Sequence, residues 1–231
     1  MNYLYLFMIP EWIFSSRELF KAAYALIILL SCFMIAIKSD RLFKLSDHQG
    51  LRYFRNAFLF YGLSFAVKFI LGGIANPVGN IAGNQIFFAI TNYLFNFLTI
   101  MAGFFLLYSL IWKYIEKEKN YHSLLNVRVG ILFIVSIAIV SLGPLLKIDY
   151  LVHYSQLVLF FIMLIISFNN YVKDKGEHLF LKYYFFTMIL GLTTWILRFF
   201  AATYAYAYLT NLLFFMVFLF MISKITKRNY G

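Results

Sequence analysis

The sequence predicts an all-α integral membrane protein, a bundle of seven transmembrane helices, and three observations carry that reading. First, 63% of the 231 residues are hydrophobic, 22% are aromatic and only 13% are charged, about half the charge of a soluble domain. Second, apolar runs of about 18 residues or more recur along the chain, each long enough as a helix to cross a hydrocarbon core of about 30 Å. Third, the basic residues behind the net charge of +11 fall in the short segments between these runs and near the runs' ends. That pattern fits a threaded membrane chain and not a basic face for nucleic acid, so the expected partner is the lipid bilayer.

Seven runs follow one another at about 19–38, 52–72, 85–112, 128–146, 150–172, 180–200 and 206–225. Residues 1–18 precede them. Their opening "MNYLYLFMIPEW" is too short to span and lacks both a basic stretch and a small-residue cleavage site, so it reads as an interfacial segment. Ser15 and Glu18 have capping-box spacing at the start of the first run: the serine caps the first turn while the glutamate reaches back to the cap's own N–H. Cys32, the single cysteine, sits inside that run. It has no intramolecular disulfide partner and packs as a small hydrophobe. Pro10, Pro77 and Pro144 lie at or beyond the ends of runs, leaving the middles unbroken. The alternating "TYAYAY" before the last run is read as a helix start and not a strand. Tyr3, Tyr5, Trp12, Tyr204, Tyr206 and Tyr208 at one set of ends, and Trp112, Tyr114, Tyr183 and Tyr184 at the other, form the aromatic belts of two interfaces.

Orientation follows from the distribution of lysine and arginine. The first, third and fifth connections and the C-terminal tail hold 15 of the 20 cations, among them Lys38, Arg41, Lys44, Arg52, Arg55, Lys113, Arg128, Lys173 and Lys224. The other side holds Arg17, Lys21, Lys68, Lys147 and Arg198. The positive-inside rule then places the N-terminus outside and the C-terminus in the cytoplasm, in the cell membrane. The connections are short, so activity is expected within the spans, at their mouths or through a protein partner at the basic cytoplasmic loops.

Three features recur in order and predict an internal repeat. Asp47-His48 answers Glu177-His178, Gly62-Leu63-Ser64 answers Gly191-Leu192-Thr193, and "TNYLF" from Thr91 answers "TNLLF" from Thr210. The offsets are 130, 129 and 119, and the change falls in the connection after the second run of each half, where insertions are tolerated. The expected organisation is a single transmembrane domain: residues 19–115 as a first three-helix repeat, 128–147 as a linker helix and 150–226 as a second three-helix repeat. The linker inverts the chain, so the two halves run in the same direction about an axis along the membrane normal.

The candidate ligand site is a polar pocket in the outer half. It draws on Thr91, Asn92 and Asn96 in the third run, Thr210 and Asn211 in the seventh, Lys68 and Arg198 near the outer ends of the second and sixth, and Asp149, His153 and Gln156 opening the fifth. Asn92 and Asn96, like Asp149 and His153, are one helical turn apart and share a face. Two roles fit these groups: a pocket whose cations meet an anion, or interhelical hydrogen bonds among the amides with the cations snorkelling to headgroups. His48, His122 and His178 fall one to each cytoplasmic connection, and no two have close ligand spacing, so no metal or other cofactor is expected. Signatures of enzymes are lacking: no paired zinc histidines, no glycine-flanked nucleophilic serine and no mid-span aspartate pair. Lys224, the lysine of the last run, lies at its cytoplasmic end and not deep enough for a retinal Schiff base.

In architecture the 3+1+3 plan resembles that of SWEET-type sugar facilitators, and seven spans with the N-terminus outside resemble rhodopsin-type receptors. The first resemblance implies a small-solute transporter. The second implies a sensor of a small or lipid-like ligand, and the absence of a soluble output domain extends that to an accessory subunit of a membrane complex. Proline-free span middles favour the binding module over the transporter, because transporters usually line their path with broken helices. The topology is tested by cysteine labelling: cysteines at Ser46, Ser123 and Gly176 are expected to resist an impermeant thiol reagent in intact cells, while one at Gly79 reacts. The opposite pattern would reverse the orientation.

Overall fold

Each apolar run is an α-helix in the computed structural model, which describes residues 16–46, 49–71, 82–115, 127–146, 150–173, 179–198 and 204–230. The helices are α1 (Ser16–Ser46), α2 (Gln49–Ala66), α3 (Ala82–Ile115), α4 (Val127–Leu145), α5 (Leu151–Lys173), α6 (Leu179–Leu197) and α7 (Tyr204–Tyr230). Among the described residues there is no strand, and "TYAYAY" does open a helix. α1 begins directly after Ser15, the expected cap, which itself lies outside the described residues. Pro144 falls in the last turn of α4. One irregularity was not legible in the sequence: α2 ends in a π turn, Val67–Leu71, that carries Lys68.

Among the described residues five helices are long and apolar enough to cross a membrane by themselves, through Ala22–Leu45, Ile86–Trp112, Val127–Leu145, Leu151–Lys173 and Tyr206–Thr226. α2 and α6 differ from the expected seven equivalent spans. The apolar part of α6 is short, Tyr183–Leu197, and α2 carries Arg52, Arg55 and Asn56 in its first half. Burial accounts for α2. Tyr53, Phe54, Asn56, Ala57, Phe58, Tyr61, Ser64 and Phe65 are all buried, so much of this helix is surrounded by protein and its side chains need not all be apolar.

The helices close into a ring in the order α1, α2, α3, α5, α6, α7 and back to α1, with α4 outside against α3 and α5. The closing contact is polar at two levels. Asn211 near the start of α7 donates to the Tyr24 hydroxyl near the start of α1 at 2.5 Å. Further along, Lys38 donates to the Ser223 hydroxyl at 2.6 Å. The same ends therefore lie together, and α1 and α7 run parallel. One end of the ring is basic: there Arg55 of α2 pairs with Asp40 of α1, which also meets Lys44 at 3.1 Å. Lys68 and Arg198 lie towards the opposite end.

Aromatic rings fill the centre. Phe58 of α2 meets Phe218 and Phe215 of α7 edge to face, with centroids 5.0 and 6.0 Å apart, and Phe54 meets Phe218 at 5.2 Å. Tyr184 of α6 joins them at 5.5 Å from Phe218. Edge-to-face pairs contribute about 0.5–1.5 kcal/mol each beyond the area they bury. That matters here, because lipid is as apolar as leucine and association rests on packing and hydrogen bonds. The outward faces carry large exposed apolar side chains, such as Leu26, Leu30 and Phe33 on α1, Ile131 and Ile134 on α4 and Phe161 on α5. Such surfaces are untenable in water and ordinary in hydrocarbon. This is a helical membrane protein.

Two glycines set how closely helices approach. A Cβ on Gly62 would meet the Cys32 Cβ of α1 at 3.2 Å, and one on Gly191 would clash with the edge of the Phe160 ring of α5. Gly130 has nothing within 4 Å of that position. Gly191→Ala is therefore expected to destabilise the protein by about 1–3 kcal/mol through overpacking. Gly130→Ala should gain about 0.5–1 kcal/mol from helix propensity. Thermal unfolding in mild detergent separates the two, and equal shifts would contradict the packing.

Candidate functional site

A cavity opens between α2, α3, α5, α6 and α7, towards the end opposite the basic one. Its lining includes Tyr61, Phe65, Phe95, Thr99, Phe160, Thr194, Trp195, Arg198, Asn211 and Phe214, with Gly191 at its wall. The cavity measures ≈ 20 Å³, space for about one water molecule. The local sequence explains the mixture. Large rings project from α2, α3, α5 and α7, and the absence of a side chain at Gly191 leaves the gap that the Phe160 ring borders.

Of the residues the sequence proposed for this site, Arg198 and Asn211 line the cavity. The Arg198 guanidinium lies over the Trp195 ring, 4.6 Å from its centroid, a cation–π contact worth about 0.5–2 kcal/mol. The two residues are one turn apart at the end of α6, where a cation also faces the favourable pole of the helix dipole. Thr210 stands just behind the lining, its hydroxyl 3.0 Å from that of Thr194. His153 approaches from α5, with Nε2 2.9 Å from the Trp195 carbonyl oxygen and its ring edge-on to the indole. Lys68 reaches the site through Phe95, whose centroid is 4.2 Å from the ammonium.

The remaining candidates lie apart from the lining. Thr91 is buried and donates to the Phe87 carbonyl of its own helix at 2.9 Å. Asn92 and Asn96 are half-buried on α3, outside the lining. Gln156 is fully buried, with neither amide atom hydrogen-bonded among the described residues. Its Oε1 lies 3.2 Å from where a Cβ on Gly103 would be, so the amide is wedged against α3. Asp149 lies outside the described residues, as do Asp47, His48, His122, Glu177 and His178.

Sequence reasoning missed Thr99 and Trp195 in the lining and Tyr24 as the partner of Asn211. Trp195 had a signal, since an aromatic three residues before a cation on one helix shares its face. Thr99 and Tyr24 had none, because their roles depend on which helices become neighbours. The hydroxyls of Thr99 and Thr194 bond back to the carbonyls of Phe95 and Leu190, at 2.7 and 2.8 Å, and so settle their hydrogens within their own helices.

Gln156 supplies the test of this geometry. Gln156→Met keeps the volume and removes both unpaired atoms, so it is expected to raise stability by about 1–3 kcal/mol. Thermal unfolding of the two proteins in the same detergent measures it. A clear loss of stability would mean that the amide is paired in the membrane.

No protein-family model and no solved structure matches the chain. Over 162 residues it is 28% identical to an uncharacterized protein of Archaeoglobus fulgidus, an alignment that covers 68% of each chain.

Proposed function

We propose that the protein is a membrane binding module that senses a small or lipid-like ligand in this cavity and passes the state of the bundle to a protein partner at its basic end. In this reading the basic end is cytoplasmic, the cavity faces the outer half of the cell membrane, and the protein works as a sensor or as an accessory subunit of a larger complex. The observation that carries it is the lining. Five helices, from both sides of the ring, converge on one gap that mixes aromatic walls with Arg198, Asn211 and two threonines. A few convergent polar groups in an apolar recess are the usual make-up of a small-molecule site.

A two-fold plan of three helices, a linker and three helices supports a site between halves. Exchanging α1, α2 and α3 for α5, α6 and α7 leaves the order of neighbours round the ring unchanged. Gly62 packs on Cys32, 30 residues earlier, and Gly191 packs on Phe160, 31 residues earlier. Each glycine thus receives the helix before it. A second reading, a small-solute facilitator of SWEET-like plan, is favoured by one observation: the π turn at Val67–Leu71 places an irregular helix end beside Phe95 of the cavity, and such bulges often mark functional positions.

Thr99→Leu tests the binding reading, because it fills the cavity while removing a hydroxyl bonded only to its own helix. Protein gently extracted from its native membrane is expected to carry a small molecule, seen by native mass spectrometry, that the variant lacks at equal folded yield. The same complement in both, or none in either, would overturn it. A protein chain recovered with both and no small molecule would leave the accessory role alone.

A further inference from the structure

We propose that the cavity takes an amphiphile with one anionic headgroup and an unbranched apolar chain, the headgroup held between Arg198 and Asn211. This rests on the reading of the cavity as a binding site and adds the class of ligand. Among the described residues Arg198 is the one charged side chain in the lining, and no carboxylate accompanies it there. Stacking on Trp195 uses the face of the guanidinium and leaves its in-plane N–H groups for an acceptor. Asn211 spends one N–H on Tyr24 and retains a second. The threonine hydroxyls direct their hydrogens within the protein, so the donors of the lining are the guanidinium, this amide, the Tyr61 hydroxyl and the Trp195 indole N–H. A donor set that includes a charge selects an anion.

The walls decide the rest of the molecule. Phe65, Phe160 and Phe214 present apolar rings next to those donors. An aromatic enclosure alone would suit a quaternary ammonium, but the guanidinium in the same low-dielectric lining repels a cation. A bare inorganic anion would leave the rings unused, and a neutral sterol-like body would leave the guanidinium without a counter-charge. Only an anionic amphiphile uses both. A space of ≈ 20 Å³ holds about one water molecule, so a ligand has to displace lining side chains, and a flexible unbranched chain asks less displacement than a rigid fused ring system.

The test uses a Trp12→Phe/Trp112→Phe protein in phosphatidylcholine nanodiscs, so that Trp195 alone transfers energy to cis-parinaric acid or to its neutral methyl ester. Transfer that Thr99→Leu abolishes is the site signal. The acid is expected to give it saturably, with Arg198→Gln weakening binding about tenfold at equal folded yield and Arg198→Lys restoring part. The ester should give little with any variant. Dodecyl phosphate should displace the acid, whereas inorganic phosphate and dodecyltrimethylammonium should not. Equal binding of ester and acid, indifference to Arg198→Gln, or displacement by inorganic phosphate would each overturn the anionic-amphiphile class. If Thr99→Leu then still removed the signal, the cavity would stand as a binding site. Absence of any Thr99-sensitive transfer would overturn both.

Discussion

Polar atoms inside a hydrocarbon layer have no solvent to turn to, and this constraint orders the whole bundle. The helices satisfy their own backbones, which is why helices span membranes at all. Most buried hydroxyls follow the same rule on a smaller scale, Ser167 apart. Ser31, Ser39, Thr99, Ser136, Thr187 and Thr194 each bond to a carbonyl three or four residues earlier in the same helix. A side chain that can settle its hydrogen locally is cheap to bury. Amides, phenols and charges cannot do so, and they determine which helices must meet.

Those obligations explain the ring. Asn211 on Tyr24 and Lys38 on Ser223 tie α7 to α1, the two helices furthest apart in the chain. Tyr184 reaches from α6 to Ser109 and to the Leu106 carbonyl of α3. Between such ties the interior needs only to be filled, and rings of α2, α6 and α7 fill it where Gly62 and Gly191 allow neighbouring helices in. Gln156 is the most marked exception, an amide buried against Gly103 with neither of its polar atoms hydrogen-bonded among the described residues. It marks the place where α3 and α5 pack at a cost.

The cavity belongs to the same logic. Gly191 makes the Phe160 ring a wall, and Trp195 and Arg198 close the gap one turn further on. A cation at a helix end in a membrane protein ordinarily snorkels to headgroups. Here it folds over an indole that also borders the gap, so charge and apolar wall meet in one place. That juxtaposition is what the proposed binding role rests on.

The sequence by itself determined that this is an all-helical membrane protein, because apolar runs of spanning length and the siting of cations are local properties that any fold must respect. It also marked Arg198, Asn211 and Thr210 as worth attention, since polar groups in greasy segments need a reason. It overstated the likeness of the seven spans, because α2 carries Arg52, Arg55 and Asn56 in its first half while much of the rest of the helix is buried in protein. Tertiary structure alone decided that Asn211 meets Tyr24, 187 residues away, that Thr99 faces a gap while Asn92 does not, and that Lys68 rides on a π turn. Those outcomes depend on which helices become neighbours. In lipid that is settled by packing and by paired polar atoms across helices, and neither is written in the order of residues along one helix.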